Sequence, residues 1–503
     1  MKFLGKYRTP DEMYKNEDVK SLEMMFPHGK PKTRREFLQA GAISFAATVT
    51  LPPFLQFLLE SNPAYAAECA TAKALPAFVT VNLTGGMAMS GNIIPHDEGR
   101  QMLASYDRLG LGSTNNLVNR TSYEFGNVPF FDGSGILAGI RSVASAETLE
   151  KTACIANWCE SQDDSTANKF DMSGLAISAG LEGRILPNLG RRNSPTGIGQ
   201  QAAFKLPPTP LQVSNAASIG NALGVKGALA NLNNTQKGQL FSLINRLSDS
   251  QKRTIASASG GEVLSKLVKD ATGDNIPLVS SDDNGTDPLR DPSVAGSFDT
   301  IWSTDAGATL TDQNGNGATA SFAAMVYNAL NGNAASVGLE MGGYDYHGNP
   351  RAVQTTRDFN AGRVIGQVLE SAAAMGKPVF LNMTTDGAVG AGGGSQVPGV
   401  DNYTSDRGRG GGMYCFAYHP SGRAQVLDDK GNPDFQIGQF KPGSSAQAVD
   451  DSFLSGGAPE LATIAAFANY TSFAGQPELF QSVVGGLWND EQLKLVRKIQ
   501  AVG

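Results

Sequence analysis

The segment that most constrains the fold runs from residue 336 to 384. It reads "SVGLEM" (336–341), a loop "GGYDYHGNP" (342–350), "RAVQTTRDFNAGRVIGQVLESAAAMG" (351–376) and "PVFLNMT" (378–384). The two flanking runs are almost continuously apolar, the pattern of strands covered on both faces. Between them Val364, Ile365, Val368, Leu369 and Ala372 recur at helical spacing, and Gly376 followed by Pro378 closes the helix. Strand, loop, helix, strand is a βαβ unit, which implies a parallel pair joined by a right-handed crossover. Three more runs read as buried strands: "AFVTVNL" (77–83), "TACIANW" (152–158) and "GMYCFAY" (412–418). The expected class is α/β, with a mostly parallel central sheet and helices on both faces.

Residues 205–335 differ in character. Pro-rich "LPPTP" (206–210) precedes two or three helical patterns, and then the Asp/Asn/Gly-rich loops "SSDDNGTDP" and "TDQNGNGATA". This stretch reads as an inserted helical, loop-rich subdomain, between a first part of the α/β domain (67–204) and a second part (336–503) that ends in helical sequence from 459. Asp312–Gly317 opens like a calcium loop, but position twelve is Ala323 where such a loop needs Glu. The Gly-rich runs at 388–399 and 408–412 lack the Lys-Ser/Thr of a phosphate-binding loop, and no Gly-x-Ser-x-Gly elbow occurs.

The N-terminus carries an address. Arg34 and Arg35 stand before Phe37-Leu38 and a moderately apolar run, and Ala64-Tyr65-Ala66 suits a signal-peptidase cut after Ala66. Residues 1–66 therefore read as an extension plus a twin-arginine signal, with the twin-arginine translocase as partner during export and a periplasmic or secreted destination. Pro52 and Pro53 break the apolar run, leaving Ala40–Leu51 too short for the ~30 Å hydrocarbon core, and no later segment spans it either. Past residue 66 there remain 31 Lys/Arg against 40 Asp/Glu, a net charge of −9. Such a surface is unsuited to nucleic acid, whose binding replaces phosphate counterions with clustered cations. Cys69, Cys154, Cys159 and Cys415 form no CxxC pair, which weighs against a zinc or redox motif and leaves any disulfide pairing open.

In an open parallel sheet, ligands bind beyond the carboxyl ends of the strands. After 77–83 comes "TGGMAMSGN". After 152–158 comes "CESQDDSTANKFD", with the hydroxyls of Ser165 and Thr166. Asp345 and His347 follow 336–341, and Asp386 follows 378–384. Four loops are thus expected at one edge. Of the other histidines in this part, His96 reads as a surface or capping residue and His419, before Pro420, as a turn residue.

The leader, the strand ending "NLTGGMAMSGNIIP", the "GGYDYH" loop and the following helix and strand resemble the domain of unknown function 1501 family, within the alkaline phosphatase/sulfatase-like superfamily. The resemblance follows most of the chain after the leader and is strongest over 79–95 and 342–385. It implies an alkaline-phosphatase-like fold and metal-assisted hydrolysis of phosphate or sulfate esters by a hydroxyl nucleophile. Its Asp-x-His element is kept as Asp345 and His347. Its acid after the paired glycines is absent, because Gly85-Gly86 lead into Met87, Ala88 and Met89. Its Ser-His before Phe-Asp is replaced by Asn168-Lys169 before Phe170-Asp171. Its Ser-Glu-Phe-Gly-Arg becomes Thr385-Asp386-Gly387-Ala388, and its Asp-His-Gly becomes Asp406-Arg407-Gly408.

The candidate set is accordingly Asp345, His347, Asp386 and Asp406 as metal ligands, with Thr166 or Ser165 as nucleophile. So few histidines suit one hard, oxygen-ligated cation, calcium or magnesium, better than zinc. Three functions remain in competition. One is an exported protein with an incomplete catalytic set that acts by binding or assembly, its protein partner or small anionic ester ligand unspecified. Another is a metal-dependent ester hydrolase. The third is a calcium-stabilised envelope or surface protein.

Overall fold

A computed structural model describes residues 75–160, 172–181, 184–187, 213, 219, 286–303, 319–392, 402–405, 410–441 and 447–502. Residues 1–66, Cys69, Ser165, Thr166, Asp406, the Asp312–Gly317 segment and most of the 205–335 stretch lie outside them. Among the described residues no helix is long and apolar enough to cross a membrane.

The core is a seven-stranded sheet. Its strands, in chain order, are β1 (Ala77–Met87), β2 (Thr152–Cys159), β3 (Arg184–Pro187), β4 (Ala334–Met341), β5 (Val379–Ala388), β6 (Gly411–Tyr418) and β7 (Gln436–Ile437). Across the sheet they stand in the order β7-β2-β6-β5-β1-β4-β3. All neighbours pair in parallel except β6, which runs against both β2 and β5. The expected α/β class with a mostly parallel sheet is what forms. One expectation is corrected: the strands of the βαβ unit, β4 and β5, are not neighbours. The apolar β1 lies between them, its Val79 level with Val337 on one side and Leu381 on the other. A buried polar row crosses the same three strands, Asn82 donating to Glu340 Oε1 (3.1 Å) and accepting from the Thr384 hydroxyl (3.1 Å).

Strand alternation sorts the core onto two faces. On one, Val79, Val81, Leu339, Leu381 and Phe416 lie under helices α1 (Gly135–Arg141), α2 (Thr319–Leu330) and α3 (Arg351–Met375). On the other, Phe78 and Phe380 meet Tyr470 of α4 (Pro459–Phe473) at ring separations of 6.0 and 5.5 Å. Cys154 belongs to the first face and Cys415 to the second; with Cys159 they are buried free thiols. Helix α2, at the end of the 205–335 stretch, packs on β4 and β1 as part of this body.

Helix α3 ends where the sequence places its stop, at Gly376 in the left-handed region (φ 61°). It crosses α1 at unusually close range because both helices present glycine there. A Cβ on Gly362 would stand 2.0 Å from the Ile136 carbonyl oxygen, and one on Gly139 2.1 Å from that of Phe359. This approach holds the N-terminal half of α3 beneath the carboxyl edge of the sheet, where the candidate loops gather.

Candidate functional site at the carboxyl edge of the sheet

The "GGYDYHG" loop leaves β4 and stays extended along the end of β1. The amide of Tyr344 donates to the Thr84 carbonyl and that of Tyr346 to the Gly86 carbonyl, each at 3.0 Å. Extended backbone turns successive side chains to opposite sides. Tyr344 and Tyr346 therefore go inward and are buried, and Asp345 and His347 go outward. Gly85 makes the approach feasible: at φ 110°, with a would-be Cβ 2.4 Å from the Asp345 nitrogen, no other residue fits. The paired glycines and the tyrosine-rich loop are thus two halves of one packing arrangement.

Asp345 and His347 form a local pair. Asp345 Oδ1 accepts the His347 amide at 3.0 Å and lies 3.5 Å from His347 Nδ1. Their side chains are 62% and 40% exposed, so water screens the pair and it adds little to stability. Arg357 donates to the Gly343 carbonyl beside them. Asp386 lies in β5 on the far side of β1, where Gly86 is level with Gly387. The backbone thus brings Asp345 and His347 to the Thr84–Gly86 segment from one side and Asp386 from the other. They flank β1 instead of sitting on adjacent strands, because β1 separates β4 from β5. The Asp386 side chain, with Asp406, Ser165 and Thr166, lies outside the described residues.

The remaining histidines sit elsewhere. His96 is half-buried, its ring 5.0 Å from that of Phe435, which corrects the expectation of a surface residue. Burial first, and then the nearby Arg100 charge, push its pKa down to about 4. His419 follows the antiparallel β6 and so lies at the opposite edge, where its Nδ1 accepts the Ser421 amide (3.2 Å) as a turn residue. Directly after Gly85-Gly86, Met87, Ala88 and Met89 are at most 1% exposed and belong to the hydrophobic core. That position supplies no ligand.

The strongest polar constellation at this edge is one that the sequence reading missed. Asp358 of α3 is 1% exposed, and its carboxylate accepts from Tyr346 Oη (2.6 Å), Asn92 Nδ2 (2.6 Å) and Gln354 Nε2 (2.9 Å). Arg351 donates to the carbonyls of Gly91 (2.6 Å) and Gly110 (3.1 Å) and lies over the Phe131 ring. The Tyr403 hydroxyl donates to Gln354 Oε1, and its ring stacks on Tyr346. A signal for this was in the sequence. Arg351, Gln354 and Asp358 continue, at three- and four-residue spacing, the buried stripe of Ala361, Ile365 and Val368. Polar residues on the core side of a helix must find partners inside.

No family model, curated protein or solved structure matches this chain.

Two donors are placed by the described residues, an exposed carboxylate and an imidazole on one loop. Among the described residues no group of three or more His, Cys, Asp or Glu is arranged to hold a metal. Such a pair suits a hydrated hard cation held weakly, and falls short of the closed ligand set that zinc takes.

Proposed function

We propose that this chain is an exported α/β protein that acts by binding at the carboxyl edge of its sheet, through Asp345 and His347, and not by turning over esters. One observation carries the reading. Where the family that the sequence resembles has an acid, after the paired glycines, this chain has Met87, Ala88 and Met89 sealed in the core. A carboxylate there would have to be buried in apolar surroundings, which costs several kcal/mol unless it is paired. The tyrosines on either side of Asp345, Tyr344 and Tyr346, support the same reading, since their hydroxyls are committed to Arg357 O (3.0 Å) and Asp358. The ligand class that fits the outward pair is a hydrated divalent cation, calcium or magnesium, alone or carried by an anionic partner.

The test uses the exported protein. Titration calorimetry with calcium and with magnesium is expected to show weak binding that Asp345→Ala abolishes. Generic phosphate and sulfate monoesters are expected to show no turnover above background, with or without those metals. Robust turnover lost in both Asp345→Ala and Thr166→Ala would replace this reading with the hydrolase.

A further inference from the structure

Alternate residues of a strand share a face, and on the α4 face of the sheet the central strands carry two polar rows, one above the other. The upper row, nearer the carboxyl edge, is Glu340, Asn82 and Thr384, joined side chain to side chain. The lower row is Gly338, Thr80 and Asn382, level with one another across β4, β1 and β5, with Cys415 of β6 beside Asn382. Thr80 and Asn382 are both buried. Among the described residues, neither the Thr80 hydroxyl nor either end of the Asn382 amide, Oδ1 or Nδ2, has a hydrogen-bond partner. We propose that Thr80 and Asn382 form an internal hydration site, where ordered water bridges the hydroxyl to the side-chain amide.

The two rows pair the same residue types in swapped order, and their neighbours make the difference. In the upper row the asparagine stands on β1, so its amide reaches Glu340 on one side and Thr384 on the other. In the lower row it stands on β5, between Thr80 and Cys415, and a thiol is only a weak hydrogen-bonding group. Beyond Thr80 comes Gly338, which has no side chain to offer. Below lies an aromatic floor, Phe78 and Phe380 against Tyr470, whose hydroxyl donates to the Pro76 carbonyl (2.8 Å). A direct bond between Thr80 and Asn382 would not satisfy the row. A side-chain amide has an acceptor at one end and two donor hydrogens at the other, so one hydroxyl serves one end and leaves the other bare. Buried groups of this kind pair with protein or with ordered water.

Water suits what the row presents. A buried water makes roughly two to four hydrogen bonds. On this face the Thr80 hydroxyl and both ends of the Asn382 amide have bonds to make, and Thr384 Oγ1, which donates to Asn82, can still accept. Donors and acceptors stand together, so the occupant must both accept and donate. A bare cation would meet the Nδ2 hydrogens, and an anion would meet Oδ1. The neighbours are small: Gly338 and Cys415 flank the row, and α4 brings Ala462, Ala465 and Ala466 to the core cluster of this face. These atoms are shut off from solvent, so their partner is enclosed as the chain folds, and water is present throughout. The site has no part in the binding proposed at the carboxyl edge and stands without it.

The test is a crystal structure of the exported protein, at a resolution that shows water, beside its Thr80→Val and Asn382→Leu variants. The parent is expected to hold at least one ordered water within ~2.7–3.2 Å of the Thr80 hydroxyl and the Asn382 amide. In solution, relaxation dispersion of the water oxygen nucleus counts molecules held inside a protein, and Asn382→Leu should hold at least one fewer. If that variant does not fold, Thr80→Val serves, because it keeps the shape and removes only the hydroxyl. Its bridging water should be lost or should retain Asn382 contacts alone. Thr80 and Asn382 bonded only to protein atoms would overturn the proposal. So would a peak with metal-like oxygen distances of ~2.3–2.6 Å, or an internal-water signal identical in parent and variant.

Discussion

His96 shows how one side chain's surroundings decide its chemistry. In sequence it is a histidine beside two acids, Asp97 and Glu98, which would favour its charged form. In the fold it rests against Phe435, and burial with the Arg100 charge outweighs the carboxylates of Asp97 and Asp434. Its folded pKa of about 4 lies below the ordinary 6.5, so the unfolded chain takes the proton more readily. His96 therefore costs nothing above pH 6.5 and destabilises the fold progressively as pH falls from there to about 4. The loss reaches at most about 3 kcal/mol. Asp358, whose pKa is raised, acts in the opposite sense between about 6 and 3.9 and masks part of it. His96→Phe isolates the term: urea midpoints at pH 7 and pH 4.5 should show the variant gaining on the parent towards acid. An equal pH profile for the two proteins would refute it.

Among the elements, α3 is the most legible from sequence at its end and the least at its start. Gly376 and the apolar residues from Val364 to Ala372 announce its C-terminal half. The N-terminal half hides its role because Arg351, Gln354 and Asp358 are polar residues on the buried stripe, and two of the partners that satisfy them, Asn92 and Tyr403, come from elsewhere in the chain. Its crossing with α1 is also written in the sequence, as "GILAG" and "GRVIG", but spacing alone does not say which helices meet. Gly362→Ala tests that contact. Alanine favours a helix interior over glycine by about 1 kcal/mol. The added methyl, however, would stand 2.0 Å from a backbone oxygen that cannot move aside cheaply. Overpacking costs about 1–3 kcal/mol or more, so the clash should win and the thermal midpoint should fall. Thr356→Ala on the exposed side of the same helix should be neutral or stabilising. A Gly362→Ala protein as stable as its parent would show that the helices are further apart.

At the scale of the whole molecule, the sheet and the N-terminal segment carry separate information. The α/β architecture is present, with the strands near their expected positions. The export reading rests on Arg34, Arg35 and the Ala64/Ala66 cleavage pattern. It predicts that replacing both arginines by lysine leaves the protein in the cytoplasm with residues 1–66 attached, because the receptor reads the arginine pair. Fractionation and mass determination of the double variant check this, and normal processing would sink it.

What the sequence by itself determined is the main elements: five of the seven sheet strands, as apolar runs too continuous for a half-exposed strand, a helix with a glycine stop, and a loop with tyrosines and polar residues in alternation. These are local properties, set by side-chain periodicity and backbone preference. Only the tertiary structure decided that β1 divides β4 from β5, that Gly85 yields to the Asp345 backbone, and that a buried aspartate beneath the loop accepts from both Tyr346 and Asn92. Each of these depends on residues hundreds of positions apart, such as Asn92 with Asp358 or Thr84 with Tyr344. Their pairing is selected by which polar groups can be satisfied once water is excluded, and that condition exists only in the folded chain.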